Sequence, residues 1–102
     1  MKRRALPAAV LALACHGAAL AQNGPPESLL GSVDAVLFVC GPLDAKTAKD
    51  GAEMQARLVQ QYKLDLAVVR KLSSYTGAYN AEVNRLLSLP PPRKVEACKN
   101  VF

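Results

Sequence analysis

The chain has 102 residues, of which 51% are hydrophobic, and 13 Lys and Arg against 8 Asp and Glu give it a net charge of +5. That length holds one small domain with a modest core. Beyond a cluster at Lys2, Arg3 and Arg4 its basic residues are scattered rather than gathered into a stripe, which argues against nucleic acid as a partner.

The chain opens on Met1, Lys2, Arg3 and Arg4, followed by an apolar run from Ala5 to Ala14. Gly17 to Ala21 are small or apolar, and polar composition begins at Gln22. A charged head, a short apolar middle and a small-x-small end form a secretory signal. Residues 1–21 are therefore expected to be a cleavable signal peptide, with Ala19 and Ala21 read by the peptidase and Gln22 first in the mature chain. A membrane span needs about 20 apolar residues. This run is shorter and is interrupted by Cys15, His16 and Gly17, so no stable span is expected after cleavage. An alternative makes Cys15 the lipid-bearing first residue of a lipoprotein. Ala14 suits that reading, but Ala12 stands where such signals usually carry Leu. The expected location is the periplasm or the exterior.

Cleavage removes three basic residues, so ten remain against eight acidic ones and the net charge falls to +2. Two cysteines remain, Cys40 and Cys98. An even count in an exported chain predicts a disulfide. The loop it closes, about 59 residues, corresponds to about 4 kcal/mol of chain entropy.

Residues 22–27 read as a loose leader and residues 28–102 as a helical domain. Leu29, Leu30, Val33, Val36, Leu37 and Cys40 recur by threes and fours, which predicts a first helix over about 28–40. The β-branched run "AVLFVC" competes as a strand, but no second run pairs with it. Gly41-Pro42 ends the helix. Asp44 is a candidate N-cap for a helix over about 45–62, with Ala48, Ala52, Ala56, Val59 and Tyr62 as its inner side. Asp65 repeats the capping pattern, with Leu64 and Val69 placed as a hydrophobic staple.

From there one helix over about 66–88 is expected, its stripe made of Val68, Leu72, Tyr75, Tyr79, Val83 and Leu86. Its opposite face carries Arg70, Ser74, Gly77, Ala81 and Arg85. Small residues at mid-helix let a backbone approach closely. That face either packs on a neighbouring helix or forms a partner groove flanked by two arginines. Pro90, Pro91 and Pro92 end the helix. A last helix over about 92–101 sets Val95, Cys98, Val101 and Phe102 inward. The expected fold is all-α, a four-helix domain stapled by one disulfide.

Residues 22–102 contain no His and no Trp, and a disulfide would leave them no thiol. The usual general base, the commonest nitrogen metal ligand and the cysteine nucleophile are then all missing. No phosphate-cradling glycine loop or nucleophile elbow is present. No catalytic, cofactor-binding or metal-binding residue is therefore named, and no cofactor is expected. Tyr75 and Tyr79 read as core, or else as an aromatic pair facing a ligand.

The outline of signal peptide, helical domain and one disulfide is similar in architecture to small bacterial periplasmic proteins, among them acid-stress chaperones and immunity proteins. That resemblance carries no residue role. The favoured role is a non-catalytic module that binds a protein partner, of a kind the sequence does not name. Alternatives are a conditional, acid-stress-like chaperone and a small lipid or ligand carrier. Oligomeric state is left open.

Overall fold

The computed structural model describes residues 24–102. The expected signal peptide and its cleavage residues Ala19, Ala21 and Gln22 lie outside the described residues. Five helices follow in order: α1 (Pro26–Cys40), α2 (Ala45–Tyr62), α3 (Leu66–Val69), α4 (Ser73–Leu87) and α5 (Pro91–Lys99). Among the described residues there is no strand, and "AVLFVC" is helical.

Pro25 and Pro26 open α1, where the missing proline N–H costs no helical bond. The expected leader is therefore partly helical, since Pro26 and Glu27 belong to α1. The helix is central, and Leu30, Val33, Val36 and Cys40 are fully buried along it. Ser32, Asp34, Ala35 and Val39 are buried too, which leaves Phe38 as its exposed exception. A helix apolar nearly all round is a helix surrounded by its neighbours; α1 packs on α4 and on α2.

Its closest approach is to α4. A Cβ built on Gly31 would overlap the Tyr75 carbonyl oxygen and lie 3.2 Å from the Tyr79 amide nitrogen. Gly31 is thus the residue that lets two backbones meet. Gly51 on α2 makes room for side chains instead: a Cβ there would stand 2.6 Å from Leu37 Cδ2 and 2.9 Å from Phe102 Cε2.

Asp44 caps α2, accepting from the Thr47 backbone N–H at 2.9 Å. Asp65 caps α3, accepting from the Ala67 N–H at 3.0 Å. Lys63 ends α2 in the left-handed region at φ 52°, a cap more often filled by glycine. The inner side of α2 is not the alanine row. Ala52 and Ala56 are exposed, as is Tyr62, while Thr47, Gly51 and Leu58 are buried. Alanine loses little by facing water. Thr47 has a tertiary partner, its hydroxyl proton being shared between the Cys98 carbonyl at 2.6 Å and the Asp44 carboxylate at 2.7 Å.

The expected helix over 66–88 is two helices. Arg70 closes α3, and Leu72 stands extended at ψ 143° before α4 begins. The domain therefore has five helices and not four. Val68 and Leu72 fall out of the predicted stripe to the exposed side, and Val69 is buried in their place. Locally the break suits Val68-Val69, which are stiff in a helix, and Ser73-Ser74, which favour a helix start.

The last helix begins at Pro91 and ends at Lys99. Cys40 and Cys98 form the disulfide, with Cα atoms 5.3 Å apart and both residues fully buried. They join Val36, Val39 and Leu86 in one half of the core. The other half gathers Leu30, Val33, Leu58, Val69 and Tyr75.

Candidate functional site

Asp34 is the one carboxylate among the buried residues of α1, 8% exposed within "LLGSVDAVLFVC". A carboxylate in an apolar helix is stable only when its oxygens accept hydrogen bonds. Three donors from three other parts of the chain do this. Gln55 Nε2 of α2 donates to Oδ1 at 2.6 Å. Tyr75 Oη of α4 donates to Oδ2 at 2.5 Å, and Arg70 Nη2 donates to the same oxygen at 3.2 Å.

The break between α3 and α4 makes this convergence possible. On one continuous helix, residues 70 and 75 would point about 140° apart. The turn at Arg70–Leu72 removes that constraint, and both side chains reach one oxygen atom. The cluster thus pins α1, α2 and α4 together at a single atom group.

Tyr75 is 7% exposed. Burial, and after it the bond to Asp34, push its phenol up to about 12, against the opposing pull of Arg70. The phenol is therefore protonated at neutral pH and acts as a fixed donor rather than a base. Tyr75 is core; Tyr79, half-buried, stacks on it with ring centroids 6.0 Å apart. Tyr79 also meets Phe38 at 6.4 Å.

The cluster forms the polar wall of an open cleft of about 600 Å³, which Leu37, Phe38, Thr76 and Tyr79 complete. On the other side of Phe38 lies a second cleft of about 290 Å³, lined by Phe38, Val39, Leu43, Leu87, Pro91, Lys94 and Val95. Phe38 is thus a wall of both. It is 63% exposed, with Leu43 at 44% and Leu87 at 53% beside it.

The face composed of Arg70, Ser74, Gly77, Ala81 and Arg85 is not drawn into one groove. Gly77, Ala81 and Arg85 are exposed on α4, and a Cβ at Gly77 would meet nothing within 4 Å. Nothing packs on Gly77, so it does not serve close packing; Gly31 does that on α1. Arg85 is held by Glu82 at 2.6 and 3.2 Å. Ser74 is half-buried, and its carbonyl accepts from Ser28 Oγ at 3.2 Å. Arg70 stands beyond the break and turns to Asp34.

Sequence reasoning missed Asp34, Gln55 and Phe38. The available signal was a single carboxylate in a run of apolar residues, which requires donors from elsewhere. Among the described residues there is no group of three His, Cys, Asp or Glu able to hold a metal, and no helix long and apolar enough to cross a membrane. Compared with known families, with curated proteins and with solved structures, the chain matches none.

Proposed function

We propose that the protein is exported under its first 21 residues, is cut between Ala21 and Gln22, and serves in the periplasm or outside the cell as a non-catalytic module that binds another protein. The observation that carries this reading is Phe38. It is 63% exposed, the one exposed residue of its helix, between two clefts and beside two more exposed leucines. Burying a large aromatic side chain is the commonest anchor of a protein interface. An apolar patch of this kind marks an interaction surface. The polar groups of the larger cleft support recognition over catalysis, because the Asp34 oxygens are already occupied by Gln55, Tyr75 and Arg70. The buried Cys40–Cys98 pair is compatible with an oxidising compartment.

Native, non-reducing mass spectrometry of the protein recovered from its own host tests the reading. A chain starting at Gln22, two protons light, in a complex of fixed stoichiometry is expected. Phe38→Asp should be recovered as the bare chain with the same circular dichroism. A lipid on Cys15 overturns the cleavage site, and a tightly held small apolar ligand overturns protein binding. A reversible gain of apolar-dye binding on acidification indicates a conditional chaperone instead.

A further inference from the structure

The core has two halves, and α5 takes part in one of them. The half built on Leu30, Val33, Leu58, Val69 and Tyr75 draws on α1 to α4 alone. The hydrogen bonds of Gln55, Arg70 and Tyr75 to Asp34 likewise owe nothing to α5. The other half, Val36, Val39, Cys40 and Leu86, is closed by Cys98, with Ala97 and Val101 packed beside it.

The last helix is poorly equipped to stand by itself. It is nine residues long, shorter than the roughly 12–15 residues below which an isolated helix is marginal in water. It opens on Pro91 and Pro92 without a side-chain cap, and Cys98 is the one residue of α5 that is buried. Pro91, Pro92, Arg93, Glu96 and Lys99 are exposed. Among the described residues, the bond from the Thr47 hydroxyl to the Cys98 carbonyl is the one side-chain hydrogen bond that reaches α5 from another helix. Residues 88–90 join α5 to α4, and its second covalent tie is to Cys40, the last residue of α1. Both cysteines are fully buried. A docked α5 therefore shields the bond from other thiols, whereas an undocked α5 presents both sulfurs. Thiol exchange requires that access.

We propose that α5 is a clasp closed by oxidation: α1 to α4 fold before the bond forms, α5 docks when Cys40 and Cys98 are joined, and docking then hides the bond. In the open state one thiolate attacks the disulfide of an oxidant, and the second displaces the oxidant from the mixed disulfide. The two thiol protons and two electrons pass to the oxidant, which leaves as a dithiol. The new bond holds α5 over Val36, Val39 and Leu86. Pro91, Lys94 and Val95 line the smaller cleft, so that cleft is complete in the oxidised protein and absent from the open one. The clasp stands independently of the protein-binding reading, since it concerns how the surface is assembled and not what covers it.

Hydrogen exchange read by mass spectrometry tests the clasp. One sample is the disulfide-bonded protein produced from the full chain. The other is the same protein reduced in urea and returned to buffer containing dithiothreitol. In the oxidised protein the amides of α5 should be protected along with those of α1. In the reduced protein α5 should lose its protection while α1, α2 and α4 keep theirs, as a unit that opens separately does. Both thiols of the reduced protein should be alkylated readily. Dithiothreitol without urea should leave the bond of the oxidised protein intact. Unchanged protection of α5 after reduction overturns the clasp, because docking then needs no bond. Loss of protection from all the helices together also overturns it, because the rest of the domain then does not fold ahead of the bond. Ready reduction without urea overturns the shielding of the bond by α5.

Discussion

Removing the Asp34 carboxylate should be among the most damaging single changes on the surface of the larger cleft. In the Asp34→Ala variant the Tyr75 hydroxyl, on a residue 7% exposed, loses its acceptor. A buried hydroxyl left unsatisfied costs about 1–3 kcal/mol. Gln55 loses its bond of 2.6 Å as well, a further loss of about 1 kcal/mol. Arg70 contributes less, because its side chain is 46% exposed and can turn to water; exposed pairs are worth about 0–1 kcal/mol. The expected total is about 2–5 kcal/mol, overlapping the range for breaking a buried charged network. Tyr75→Phe removes one hydrogen bond to a charged acceptor and leaves the other two, and should cost about 2 kcal/mol. The Tyr75–Asp34 bond is counted in both single changes, so the double variant should lose about 1.5–2 kcal/mol less than their sum. Urea denaturation with an unchanged m-value measures all three, and each kcal/mol lowers the melting temperature by about 4–8 °C in a domain of this size. A loss below about 1 kcal/mol for Asp34→Ala, or strict additivity in the cycle, would refute the idea that one atom group pins three helices.

Three further outcomes follow from the packing. Gly31→Ala should destabilise by about 1–3 kcal/mol, because its Cβ meets the Tyr75–Tyr79 backbone, which cannot rotate away. Gly77→Ala should stabilise by up to about 1 kcal/mol, since it sits within α4 with nothing within 4 Å; thermal melts of the two should move in opposite directions. Replacing Cys40 and Cys98 together with Ser should lower stability by about 4 kcal/mol by chain entropy, read from chemical denaturation. The Tyr75 phenol titrates near 12 in the folded protein and near 10 when unfolded. Between those values the native state holds a proton that the unfolded chain has released. The stability it contributes is whole below about pH 10 and is lost as pH rises toward about 12. Absorbance at 295 nm should show a tyrosine ionisation step near pH 12, together with unfolding. Tyr75→Phe should abolish that step and flatten the decline.

The local code was read directly from the chain. Asp44 caps the helix it was expected to cap, and Asp65 caps a helix at the expected start though a far shorter one, because an N-cap bond is made within three residues of sequence. Leu30, Val33, Val36 and Cys40 are buried, as their helical spacing requires. The Cys40–Cys98 pairing, expected from the cysteine count if Cys15 belongs to a signal, is the one the structure forms. What the tertiary structure decided are the positions where a distant partner overrides spacing. Ala52 and Ala56, expected inside α2, face water, while Thr47 and Gly51 are buried by Cys98, Leu37 and Phe102, residues far along the chain or on another helix. The long third helix breaks, although its stripe has the right period. Periodicity specifies one face and says nothing of Asp34, whose buried charge draws Arg70 and Tyr75 from directions that one helix cannot present together. The exposure of Phe38 is likewise a tertiary outcome. Its spacing fits an α-helix as well as that of its neighbours does, and only the arrangement of α4 and α5 around α1 leaves it uncovered.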